Sequence, residues 1–410
     1  MSKQLLLEGI NEVCNAVKST YGHNGSHVLF DEPVRFTLDG VSVAKDLPDP
    51  EDKIKKIGYD LIRSVTSKTE QEVGDGTTTT AVLSQSLANS ALSVEGNKQD
   101  IRQGLHDALQ ETIKKIKPEE GHLFNVAKTS CKDDELAKNI VEILEKDSDM
   151  HIDIKLGGEV GYKLFSGLTL GSGYNHPKFA QNGVFRAENC LVYVLDDSLS
   201  SITELDKILL QAKGRQVVFI AEQIGGQALE TLIGNNEKLK TCAINVENAD
   251  KLAEIIGTGF LEAKSIEVHK DKTILSLTKD ISEAVDNSTH TDLEKKALKG
   301  QVCEFNIGGE TAEEQKDRFY RVEDAIGSVR NAIKTGVVKG GGQAFLVELE
   351  PDGNSDYILG YKILEKALKE PYNILGGGDT YDSYLVSVVA LTNAVILADL
   401  LLNTGHIYAH

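Results

Sequence analysis

The chain has 410 residues, enough for two or three domains with separate cores. Lys plus Arg number 44 against 63 Asp plus Glu, a net charge of -19. With no basic run or arginine stripe, this argues against a nucleic-acid partner. Five scattered cysteines (Cys14, Cys131, Cys190, Cys242, Cys303) lack C-x-x-C spacing, which excludes a zinc site and a disulfide framework and points to a reducing, cytoplasmic setting.

Leu5, Leu6, Ile10, Val13 and Val17 share one face of an opening helix that stops at Thr20-Tyr21-Gly22, and no secretory signal is read there. Short β-like pieces at 27–30 and 35–38 lead to a turn at Asp39-Gly40. Asp49-Pro50-Glu51-Asp52 reads as a helix start with a cap, a proline in the first helical position and acids in the first turn. Its core face is Ile54, Ile57, Leu61, Ile62 and Val65. Gly74-Asp75-Gly76-Thr77-Thr78-Thr79-Thr80 then reads as a tight loop feeding the next helix. Free amides at a helix start, hydroxyls beside them and a carboxylate for a cation suit a phosphate with its metal. A threonine-capped helix after a glycine turn is the plainer alternative.

Beyond residue 118 the pattern changes. Short buried strands are expected at 190–195, 216–221 and 242–246, alternating with helices at 202–213, 228–235 and 249–256. After Gly308-Gly309 the chain turns helical again, with a stripe of Val322, Ala325, Ile326, Val329 and Ile333 closed by Gly336. Final helices run from Tyr357 and Tyr384. The apolar stretch 384–402 contains Thr392, Asn393 and Asp399, so it reads as a buried core helix without membrane contact.

Three more features join the acidic-threonine loop: Asp39 on its glycine turn, Arg321-Val322-Glu323-Asp324-Ala325, and Val337-Val338-Lys339-Gly340-Gly341-Gly342. In this order, with Gly22-His23-Asn24-Gly25, they resemble the bacterial-type (group I) chaperonins from Leu6 to about Leu402. The resemblance implies a multidomain α+β chaperonin fold. A mainly helical equatorial ATPase domain would comprise 1–118 and 334–410. A small intermediate hinge domain would comprise 119–166 and 300–333, and an α/β apical polypeptide-binding domain 167–299.

Carried onto this chain, the resemblance implies that Thr20, Tyr21, Gly22 and His23 hold the α-phosphate and the nucleotide edge. Asp75 would hold Mg2+, and Gly76, Thr77, Thr78 and Thr79 would cradle the phosphates. Asp39 would orient the attacking water, and Asp324 would complete the hydrolytic set. Gly340 and Gly341 would face ribose and base, and Asp382 the ribose hydroxyls. ATP and Mg2+ are the implied cofactors, with K+ as a second cation. Gly167 and Gly300 are hinge candidates or ordinary turn glycines. Tyr174, Phe179, Leu205, Ile208, Leu209, Leu229 and Ile233 are candidates for a groove binding non-native polypeptides, or for the domain's own core.

The chain also departs from that family. Leu38 stands where the family has a lysine, His23 where it has a proline, and Lys178 where it has an aromatic residue. Leu375-Gly376-Gly377-Gly378-Asp379-Thr380 replaces a much longer segment that carries ring–ring contacts. A homo-oligomeric ring, heptameric as in the family, is therefore expected to be single. A lid co-chaperonin is left open, because the family's P-G-F-G loop is absent around 246–248. The function implied is an ATP-driven folding chaperone, without nucleic acid or membrane partners. A chaperonin-like scaffold that keeps the nucleotide pocket but not the folding cycle is the alternative. No Walker-type lysine motif supports an ordinary kinase.

Overall fold

The computed structural model describes residues 2–22, 25–31, 34–247, 249–279, 281, 285 and 301–408. In chain order the elements are α1 (Ser2–Lys18), β1 (Val28–Asp31), β2 (Val34–Thr37), α2 (Gly40–Asp46), α3 (Lys53–Val73), α4 (Thr77–Ser93), α5 (Lys98–Lys115), α6 (Leu123–Cys131) and α7 (Asp134–Lys146). Then come β3 (His151–Lys155), β4 (Gly157–Leu170), β5 (Phe185–Val194), α8 (Ile202–Gln211), β6 (Val217–Ala221), α9 (Gly226–Gly234), α10 (Asn236–Leu239) and β7 (Cys242–Asn245). The last set is α11 (Ala249–Ile256), β8 (Gly259–Val268), β9 (Thr273–Leu277), β10 (Gln301–Gly308), α12 (Ala312–Thr335), β11 (Val337–Lys339), α13 (Ser355–Leu375), β12 (Tyr381–Ser383) and α14 (Tyr384–Asn403). They fall into two compact units, Met1–Asp149 with Leu156–Gly161 and Asn306–His410, and Met150–Lys155 with Tyr162–Phe305.

The first unit is helical around one apolar core, to which α1 gives Leu6, Ile10, Val13 and Val17, α4 gives Leu83 and Leu87, and α14 gives Leu391 and Val395. Two helix crossings run backbone against backbone. A Cβ at Gly9 of α1 would lie 2.2 Å from the Lys55 carbonyl oxygen of α3, and one at Gly58 would lie 2.5 Å from that of Leu6. The same device joins α5 to α13, where a Cβ at Gly104 or Gly360 would come within 2.0 or 2.2 Å of the Tyr357 or Ile101 oxygen. α14 is long and apolar enough to cross a membrane, yet most of its side chains are packed in this core. Its Asn393 is buried and donates to Thr69 Oγ1 at 3.1 Å and Glu72 Oε2 at 2.9 Å. Its Asp399 accepts both arms of Arg102, at 2.6 and 2.9 Å.

Two local expectations are corrected. Asp39-Gly40 is a helix start rather than a turn: Asp39 caps α2 by accepting the Val41 and Ser42 amides at 3.1 and 2.9 Å. α3 is capped by Asp52, which accepts the Ile54 and Lys55 amides, so Pro50 lies outside the helix. Asp49 is used elsewhere, against Arg63 at 2.6 Å.

The second unit is built on an eight-stranded sheet of order β3-β10-β4-β9-β8-β5-β6-β7, and β4 and β10 carry the chain from one unit to the other. β5, β6 and β7 are parallel, in register Leu191↔Val217 and Val218↔Cys242, with α8 and then α9 and α10 as the crossovers that parallel pairing requires. This is the alternating segment expected from sequence. β8 is antiparallel to β5, from Phe185↔Val268 to Val194↔Gly259, β9 is antiparallel to β8, and β4 is antiparallel to β9. The core is dominated by Val192, Val194, Phe219, Ile220 and Leu232.

Candidate active site

α3 ends at Gly74 (φ +67), and Gly76 (φ +85) precedes α4. Both are in the left-handed region, where glycine is the residue without a steric penalty. A side chain at Gly76 would also meet Val386 Cγ1 at 2.7 Å. No side chain caps α4, so its first amides are left for a ligand. They open on a cavity of about 570 Å3, within the usual size of a small-molecule site, formed wholly by the first unit.

Thr20, Tyr21, Gly22, Asp39, Asp75, Gly76, Thr77, Thr78, Thr79, Asp324, Gly341 and Asp382 all line this cavity. Residues 300 apart in sequence are thus brought together. Tyr21 is held by its hydroxyl, 2.9 Å from Thr79 Oγ1. Gly22 (φ +69) leaves no room for a side chain, whose Cβ would fall 2.3 Å from Leu375 Cδ2. Gly340 does not reach the cavity. Its amide donates to the Thr380 carbonyl at 2.8 Å and it backs that wall. His23 and Gly300 lie outside the described residues.

Carboxylates dominate the electrostatics. Asp324 is pushed well above the usual range, first by burial and then by the charges of Asp75, Asp39, Glu70 and Glu323. Burial lifts Glu70 to about 7, reinforced by Asp75, Asp39 and Glu323. Burial also brings Asp382 to about 7 with help from Asp75. Asp75 is raised by burial, a shift opposed by three donors: the Ser328 hydroxyl at 2.6 Å, the Gly76 amide at 2.5 Å and the Ser130 hydroxyl at 2.8 Å. So many acids in one cavity suit a ligand that brings cations with it. Among the described residues no three His, Cys, Asp or Glu side chains hold an ion by themselves. A cation here needs phosphate oxygens as further ligands, the common arrangement for Mg2+. The hydroxyls of Thr380 and Ser383, on either side of Asp382 in the chain, are buried without a partner and fit a polar ligand edge.

Three basic residues share the lining. Arg321 pairs with Asp317 at 2.8 Å, Lys128 pairs with Asp134 at 2.8 Å, and Lys132 stands at the end of α6 with a left-handed backbone (φ 56). Arg321 stands in the acidic motif already singled out, but sequence reasoning missed Lys128, Lys132 and the α6 hydroxyl of Ser130. The 128–132 segment carries no glycine-rich or acidic signature, and only packing brings it to the cavity.

A model of the TCP-1/cpn60 chaperonin family matches residues 13–211, a span that includes Asp39 and the whole Gly74–Thr80 loop. Over that span the chain is similar to the TCP-1/cpn60 chaperonin family. The chaperonin fold extends over its whole length. The chain is similar to the chaperonin gp146 from the bacteriophage EL 2 (Pseudomonas aeruginosa), crystallised in the presence of ATP-BeFx, at a TM-score of 0.64 and 19% identity. The match covers 98% of this chain and 97% of that chain, and a second crystal form gives a TM-score of 0.63 at the same identity and coverage.

In the second unit of this chain, Phe179, Leu205 and Ile208 are sealed in the core, at 2, 0 and 3% exposure. As folded they are packing residues, which corrects the expectation of a groove there. α8 and α9 turn these faces toward the sheet because the crossover helices must cover it. Tyr174, Leu209, Leu229 and Ile233 are only half buried, and Leu210, not expected from sequence, is 78% exposed. Gly167 is not a turn glycine. It sits inside β4 opposite Ser276, where a Cβ would lie 2.5 Å from Val302 Cγ2.

Proposed function

We propose that this chaperonin hydrolyses ATP and uses the cycle to assist the folding of non-native polypeptides within a homo-oligomeric ring. The observation that carries the reading is the convergence of Asp39, Asp75 and Asp324 on the cavity into which the uncapped start of α4 opens. The gp146 chaperonin, similar in fold, is described with ATP-BeFx, which supports a nucleotide in this cavity.

In this reading the α4 amides and the hydroxyls of Thr77, Thr78 and Thr79 bind phosphate oxygens. Tyr21, held by Thr79, and Gly22 close the nucleotide edge, and Asp382 with Gly341 faces the ribose. Asp75 holds Mg2+, with K+ as a second cation, and the metal supplies charge neutralisation at the phosphates. Asp39 accepts a hydrogen bond from the attacking water and orients it. Asp324, whose raised proton affinity suits it to take up a proton at its carboxylate, completes the set. The chemistry is positioning and charge stabilisation rather than covalent catalysis.

Residues 1–118 and 334–410 would then be equatorial, 119–166 and 300–333 intermediate, and 167–299 apical. Tyr174, Leu209, Leu229 and Ile233, joined by the exposed Leu210, are the candidate polypeptide contacts. The tight link at 376–378, three glycines with φ of +75, +74 and +116, is too short for much contact between rings and favours a single ring. Five buried cysteines, none of them in a disulfide, suit a reducing cytoplasm. The scaffold alternative draws support from the sealed Phe179, Leu205 and Ile208, which leave a narrower apolar surface.

The decisive test follows phosphate release and particle shape on one sample. Single rings that change shape as phosphate appears are expected. Asp324→Ala should lower turnover by about 10²-fold or more while ADP still binds. Turnover that survives this change would remove Asp324 from the hydrolytic set, and particles without turnover would favour the scaffold.

A further inference from the structure

One face of α12 carries Asp324, Gly327, Ser328 and Asn331, the i, i+3, i+4, i+7 spacing of a single helical stripe. This stripe lies directly on the phosphate loop. A Cβ at Gly327 would stand 2.8 Å from the Gly74 carbonyl oxygen, so the helix touches the loop backbone to backbone. Asn331 Nδ2 donates to the Val73 carbonyl at 2.7 Å. Between these two contacts the Ser328 hydroxyl donates to Asp75 Oδ2 at 2.6 Å, and Ser130 of α6 donates to the same oxygen at 2.8 Å. Among the described residues Asp75 Oδ1 accepts only the Gly76 amide, at 2.5 Å.

An ionised carboxylate offers about four lone-pair positions. Both positions on Oδ2 are filled by hydroxyls from two different helices, and one on Oδ1 is filled by the loop itself. We propose that Ser328 and Ser130 are positioning residues that lock Asp75 so that it meets a cation through the remaining Oδ1 position alone. The inference rests on the nucleotide reading above, since the cation needs phosphate oxygens to complete its ligands. The same contact sets Asp324, one turn before Ser328, over the loop. A carboxylate fixed by three donors loses no rotamer freedom when the ion arrives and cannot swing to bind it with both oxygens. Glycine at 327 permits the approach, and serine at 328 gives it a chemical purpose that alanine would lack.

The test compares ADP binding by calorimetry, with Mg2+ and with EDTA, in the full-length wild-type protein and in Ser328→Ala, Ser130→Ala and Ser328→Thr. The factor by which Mg2+ tightens ADP binding is expected to fall about tenfold in each alanine variant, the usual effect of removing a group that orients a metal ligand. Affinity for ADP in EDTA should stay unchanged, and Ser328→Thr should keep the wild-type factor. Packing alone would weaken both affinities together, so a parallel loss overturns the proposal, as does an unchanged factor in the alanine variants. If Ser328→Ala fails to fold, Ser130→Ala on the other helix decides. Wild-type protein that binds ADP equally well with and without Mg2+ overturns the cation site itself. A wild-type Mg2+ effect that survives both alanine changes overturns only the role of the serines.

Discussion

Asp39 does two jobs with one carboxylate, and its substitutions should separate them. It caps α2 through two amides and lines the cavity beside Asp324. Asn is as good a cap as Asp but carries no charge. Asp39→Asn is therefore expected to keep wild-type thermal stability and lose most ATP turnover. Asp39→Ala should lose turnover and also about 1 kcal/mol of stability. Thermal melts beside phosphate-release rates check both; a stable, fully active Asp39→Asn would leave the residue as a cap only. Asp39 was legible as an important acid from its Asp-Gly setting, but α2 was not. Its seven residues (Gly40–Asp46) are too few to reveal a helical period.

Among the elements, the helix pairs α1–α3 and α5–α13 carry the nucleotide unit, and both depend on glycine where two backbones meet. Gly104 faces the Tyr357 carbonyl with no space for a methyl group. Gly104→Ala must push α5 from α13 and is expected to cost about 1–3 kcal/mol in urea unfolding. The local gain in helix propensity of about 1 kcal/mol offsets part of that cost. A variant more stable than wild type would show that the crossing relaxes freely. In the second unit, the parallel strands β5, β6 and β7 announce themselves as continuous apolar runs. β4 does not: its fourteen residues Gly157–Leu170 include four glycines and mixed polarity, and its partner β9 lies far along the chain.

For the whole molecule, the crowded acids of the first unit should govern stability above acid pH. Glu70 and Asp382 keep their protons to about pH 7 when folded and would release them near pH 4 when unfolded. Between those values the folded state binds more protons, so raising the pH through this window removes stability. Asp49 and Asp399, held low first by hydrogen bonds to Lys56 and Arg102 respectively, lose their contribution only in stronger acid. The melting temperature of the nucleotide-free protein is expected to fall between about pH 5 and pH 8. Calorimetry across that range checks it, and a flat or rising profile would mean that these crowded acids are already neutralised in another way.

The sequence by itself determined the tight loop before α4, because Gly-Asp-Gly before four threonines combines backbone freedom, donors and charge within a few residues. It also determined the helical ends, the parallel βαβ stretch and the family resemblance, all carried by local order and spacing. Tertiary structure alone decided which acids share a cavity, since Asp75 and Asp324 meet only when α12 packs on the loop through Gly327 and Gly74. It decided that Phe179, Leu205 and Ile208 face inward, because an apolar stripe on a helix reads the same whether a sheet or a client covers it. It brought Ser130 and Ser328 onto Asp75, a contact between residues 55 and 253 positions apart from that acid that no local pattern encodes.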